Sequence, residues 1–133
     1  MTITENMYSV LAGIAAITSL VPASRILPPG AWQNVARPYI VHFPVSLIPT
    51  ITHSGQKELR IWDFYQISVF SDTFEQGDAV ADAIVRNLPG NYSGVEIFCR
   101  EGSTYYQGGR PVDERMTVQV QHFALDFRIA EAL

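Results

Sequence analysis

The sequence predicts an α+β fold: an antiparallel β-sheet of about four strands with two helices packed on one face and a long β-hairpin. Three observations predict it. An apolar stripe at three-and-four spacing opens the chain, a second stripe follows a helix-start signal at Asp72, and the remaining segments alternate with period two. With 133 residues, a single core and one domain spanning 1–133 are expected.

The first helix is predicted from Ile3 to about Ser19. Ile3, Met7, Val10, Leu11, Ile14 and Ile17 make its stripe, Thr2 or Thr4 caps its start, and Pro22 stops it. Residues 22–38 hold Pro22, Pro28, Pro29, Pro38 and Gly30, which reads as an extended connection with room for a short strand at Arg25–Leu27. From Tyr39 the chain alternates through Val41, Phe43, Val45 and Leu47. Pro44 and Pro49 donate no ladder hydrogen bonds, so this strand is at an edge or bends. The group His53–Gln56 reads as a turn, and a second strand runs from about Glu58 to Phe70.

Asp72 with Glu75 three residues later reads as a capping box. Phe74, Gly77, Ala81, Ile84 and Leu88 form the inward stripe of the second helix, and Pro89-Gly90 ends it. A third strand is predicted over about 93–100, then a flexible loop from Gly102 to Pro111, then a last strand from about Glu114 to Ile129. In that last strand the apolar residues change parity. Met116, Val118 and Val120 share one parity, and Phe123, Leu125, Phe127 and Ile129 the other. Either a bulge near Gln121–His122 or burial on both faces accounts for the switch. Burial on both faces is what a subunit contact produces, which makes Phe123, Leu125, Phe127 and Ile129 the candidate subunit interface.

Composition points the same way. The chain is 47% hydrophobic and 17% charged, against about 25% charged residues in an average soluble protein. A small domain with so little charge either covers part of its surface with copies of itself or is a compact monomer whose surface is polar but uncharged, rich in Ser, Thr, Gln and Asn; the first reading is preferred. The net charge is −4, Lys57 is the only lysine, and there is no basic stretch, which argues against gripping nucleic acid by its phosphates. No run approaches the ~18 apolar residues of a membrane helix. No basic residue precedes the first apolar stretch, so a signal peptide is not expected and the compartment is cytoplasm-like.

The sequence offers little catalytic chemistry. Cys99 is the only cysteine, so neither a disulfide within the chain nor a Cys-rich metal site is possible. His42, His53 and His122 lie in separate segments without ligand spacing. Gly108-Gly109 lacks the Lys-Ser/Thr ending of a phosphate loop. Asp63, between Trp62 and Phe64, is a lone carboxylate suited to a bond across the hairpin or to a neighbour. No catalytic, cofactor or metal residues are therefore assigned. Glu75, Asp78 and Asp82 share one face of the second helix, either as an ordinary solvated face or as acids facing a channel from which DNA is repelled.

Taken in order, Arg25-Ile26, Arg37-Pro38-Tyr39-Ile40-Val41, the strand Phe64 to Phe70 running through Ser71-Asp72 into a helix, and the closing Asp126-Phe127-Arg128-Ile129 resemble the tail completion (tail terminator) proteins of long-tailed bacteriophages. The resemblance covers nearly the whole chain. The segment 42–60, with Pro44 and Pro49, departs from the pattern. The resemblance implies a non-enzymatic subunit of a homo-oligomeric, commonly hexameric ring. Such a ring sits in the virion tail or neck, caps the tail tube and joins it to the head–tail connector. It is assembled in the host cytoplasm, and DNA passes through without specific binding. Loops 48–57 and 102–112 then become the candidate contacts with tube or connector, with Ile51, His53, Lys57, Tyr105, Tyr106 and Arg110 as their candidate residues. Another neck or head-closure protein, or a small enzyme with a site between subunits using Cys99, His122 or Asp63, are the alternatives.

Overall fold

Thr2 starts the first helix by accepting a hydrogen bond from the Glu5 amide at 3.2 Å. The computed structural model describes residues 2–30, 35–50, 59–92, 94–99, 105–111 and 119–132. Helix α1 (Ile3–Ala12) does not continue to Ser19 as the stripe predicts. Ile14 takes an extended conformation (φ −94°, ψ 108°), and a short α2 (Ala15–Thr18) resumes after it. The break redirects the chain so that Ile17 joins Ile3, Met7 and Leu11 in the interior, while Val10 and Ile14 pack half-buried at its margin.

A 3-10 turn (Ala23–Arg25) leads into β1 (Ile26–Leu27), the short strand expected there. It pairs in parallel with β2 (Tyr39–Thr50). β3 (Leu59–Ser71) returns antiparallel to β2, which makes the long hairpin. The predicted turn at His53–Gln56 lies outside the described residues. Register shifts occur between Pro44 and Leu47 of β2 and between Trp62 and Tyr65 of β3, so β2 bends where its first internal proline stands. The shift in β3 brings Trp62 to the core side along with Tyr65, although the two have opposite parity.

Helix α3 (Phe74–Asn87) follows, but its cap is Thr73, whose side chain accepts from the Gln76 amide at 3.2 Å. The Gln76 side chain reaches back to the Asp72 amide at 3.4 Å. The predicted box is thus displaced by one residue, because the Asp72 carboxylate is engaged by Arg37. The displacement also turns Phe74 out of the inward stripe, leaving it 46% exposed.

The expected four-stranded antiparallel sheet is corrected to a seven-stranded mixed sheet in the order β1-β2-β3-β7-β5-β4, with β6 also on β7. The added strands are β4 (Gly90–Tyr92), which uses the residues expected only to end the helix, and β6 (Tyr106–Pro111), which lies in the expected loop. β5 (Val95–Cys99) falls within the predicted third strand, and β7 (Gln119–Ala132) overlaps the last predicted strand and runs past its expected end at Ile129. Residues 114–118 of that last prediction lie outside the described ones. β7 organises the sheet. One edge pairs with β3 along most of its length, and the other is shared by β6 opposite residues 119–123 and β5 opposite 127–131.

The same ladders bear on the parity switch. β7 runs from Ser71↔Gln121 to Tyr65↔Phe127 against β3 without a shift, so no bulge lies at Gln121–His122 on that side; the irregularity there belongs to β6, between Tyr106 and Gly108. The alternate residues of β7, from Val120 and His122 through Ala124, Asp126 and Arg128 to Ala130, are mixed in character, and Met116 and Val118 lie outside the described residues. The other face carries Phe123, Leu125, Phe127 and Ile129 with Tyr65, Ile67, Val69 and Ile40, all packed with α1 and α3 into one core. Enclosing each such side chain contributes about 1.5–3 kcal/mol relative to leaving it in water.

Candidate functional site

The second face of the sheet carries side chains that the helices do not cover. Tyr39 of β2 stacks on Phe70 of β3 (ring centroids 5.0 Å apart), and Phe70 stacks on His122 of β7 (4.5 Å, planes within 8°). The three residues are register partners across adjacent strands, so their rings form a ladder. Beside the ladder Val41, Phe43, Phe70 and Val120 line an open groove of about 410 Å³, with Gln66 and Ser68 supplying its few polar atoms. Farther along β2, Val45 is 56% exposed and Leu47 43% exposed. Phe74 and Tyr106 form a second exposed aromatic pair at the start of α3, edge to face at 5.1 Å, and both rest on the ring of Phe123.

Each residue singled out in the sequence can now be placed. Phe123, Leu125, Phe127 and Ile129, the candidate interface, are at most 3% exposed and packed inside their own chain. Their apolar period is satisfied by the helices of the same molecule, which leaves them no area for a neighbour. The apolar surface outside the core comprises half-buried Phe70 and His122, the groove and the exposed part of β2, which the sequence reading passed over.

Of the three acids on α3, Glu75 is exposed. Asp82 is bound by Arg86 one turn later at 2.8 Å. Asp78 accepts a hydrogen bond from the Tyr105 hydroxyl at 2.9 Å, which also donates to the Asp78 backbone carbonyl at 3.2 Å. Tyr105 is therefore anchored to the body of the molecule. Its hydroxyl holds its proton more strongly than a free tyrosine, first because of burial and then because of the Asp78 carboxylate. Tyr106 lies in β6 with its hydroxyl donating to Gln121, and Arg110 occupies the same strand opposite Val120. Ile51, His53 and Lys57 lie outside the described residues.

The residues weighed for catalysis do not converge. His42 is enclosed in the interior, Cys99 is exposed on β5, and His122 belongs to the ring ladder. Asp63 faces Arg128 of β7 at 3.8 Å, a partner on the neighbouring strand outside the hairpin. Glu131, 7% exposed, takes the indole N–H of Trp62 at 3.3 Å. Among the described residues no three His, Cys, Asp or Glu side chains gather as metal ligands, and no helix is long and apolar enough to cross a membrane.

Comparison with known proteins agrees with the resemblance read from the sequence. The family model described as "Tail completion protein gp17" matches residues 5–129, from the first turn of α1 into β7. The curated proteins and the solved structures yield no significant match. With nearly its whole length covered by that model, the chain belongs to the tail completion protein family and is a structural component of the phage tail.

Proposed function

We propose that the chain is a ring-forming tail terminator. Identical single-domain subunits, commonly six, close into a ring that caps the tail tube and joins it to the head–tail connector, without enzymatic activity. The observation that carries this reading is apolar surface outside the core: the groove beside Phe43, Phe70 and Val120, and separately the exposed Val45 and Leu47 farther along β2, on a chain with only 17% charged residues. Exposed apolar area of this kind is normally covered by a partner. In a ring this surface meets a different patch of the next copy, head to tail, with a rotation between copies that closes the circle. An area of about 1,600 Å² per contact makes such an assembly stable.

The subunit is net acidic, so a ring of copies repels DNA from its lining and lets it slide. Glu75 is the acid best placed for that role, since Asp78 and Asp82 already have partners within the chain. The particle is assembled in the host cytoplasm and carried in the virion neck. Native mass spectrometry on the purified protein, alone and with tail tube protein, tests the reading. A hexamer in either condition is expected, and monomer in both contradicts it.

A further inference from the structure

We infer that His42 is an acid-operated latch on the first turn of α1. The ring is completely enclosed on β2, with Nδ1 2.7 Å from the hydroxyl oxygen of Tyr65 on β3. Thr2, Thr4 and Glu5 at the start of α1 share a groove with His42, which places the first turn of the helix beside the ring. At the other side of the ring Nε2 is buried and has no hydrogen-bond partner among the described residues.

This arrangement favours a neutral imidazole. In one tautomer Nδ1–H donates to the Tyr65 oxygen and Nε2 presents a lone pair; in the other the Tyr65 hydroxyl donates to Nδ1. In either case a second proton creates a buried cation whose Nε2–H has no acceptor among the described residues. Burial accordingly holds the pKa of His42 down to about 4, well below that of a free histidine. The ionisable groups around the ring are few. α1 brings Glu5 and Tyr8 to the adjacent groove, β3 brings Tyr65, and β1 has no ionisable side chain.

That groove, of about 540 Å³, runs between α1 and the Ile26–Pro28 stretch and ends at His42. It gives the imidazolium a way out of its burial. When the first turn lifts, drawing Ile3 out of the margin of the core, water gains access to Nε2–H through the groove. The remainder of α1 stays in place, because Met7 and Leu11 are fully enclosed in the core. Acid therefore releases Thr2–Glu5 and widens the groove while leaving the sheet intact.

The test follows the His42 ring by carbon-13 NMR and the α1 amides by hydrogen exchange across pH 7 to 3. In the wild-type protein the ring should titrate far below an ordinary histidine, and protection of the Glu5 and Asn6 amides should fall at least about tenfold in step with it, with β3 and β7 unchanged. His42→Asn keeps a donor near the Nδ1 position without a titratable ring, and should abolish the step. Glu5→Gln should retain it. A ring that titrates normally, helix protection that survives protonation of the ring, or a step that disappears in Glu5→Gln would overturn the latch. The wild-type correlation decides the matter even if the His42 variant does not fold.

Discussion

Gly77 of α3 lies against the ring of Phe123 of β7 so closely that a β-carbon there would collide with two ring atoms and with the Ser71 hydroxyl. Phe123 is fully buried and cannot swing aside. The contact sets how near α3 approaches the sheet, and with it the positions of Phe74 and Tyr106 at the surface. Gly77→Ala gains up to about 1 kcal/mol in helix propensity, but overpacking a closed contact costs about 1–3 kcal/mol. Net destabilisation of about 1–2 kcal/mol is expected in urea unfolding. A more stable variant would show that the contact yields.

Tyr105 tests whether the segment read as a loop from sequence is anchored. Tyr105→Phe removes the hydroxyl shared between the Asp78 side chain and backbone. A loss of about 1 kcal/mol is expected, together with faster hydrogen exchange at Ala124, whose amide donates to the Tyr105 carbonyl at 2.9 Å. No change in either quantity would mean the anchor contributes nothing.

Global stability should depend on pH through His42. Its folded pKa, about 4, lies below the ordinary 6.5. The unfolded chain therefore takes up this proton first as pH falls, and the contribution of neutral His42 is complete above about 6.5. It is lost progressively between about 6.5 and 4, amounting to about 3 kcal/mol over that window. Unfolding free energies measured for the wild type and His42→Asn at pH 7 and pH 4.5 should differ in pH dependence in that sense. Parallel curves would contradict it.

Both helices and the hairpin were legible in the sequence because each rests on local periods and caps. What was not legible rests on contacts distant along the chain. Asp72 reads as the better cap, yet Arg37, thirty-five residues away, claims its carboxylate and leaves the cap to Thr73. Gly108 (φ +113°) and Gly109 read as a loop, and only the length of β7 beyond β5 gives them a strand to pair with. Phe123, Leu125, Phe127 and Ile129 show the deepest ambiguity. Period two marks an apolar face, but not whether helices of the same chain or a neighbour will cover it.

The exposed apolar residues of β2 can be challenged directly. Val45→Lys combined with Leu47→Lys places charge on side chains already in contact with water. The folded subunit should change in stability by no more than about 0.5 kcal/mol, while self-association is lost. Retained assembly would move the interface elsewhere.

The most direct test of the ring is a set of electron-microscope projection images of the purified protein mixed with tail tubes. Closed rings of six-fold symmetry seated at tube ends are predicted. Isolated subunits that leave the tube ends bare would contradict the account.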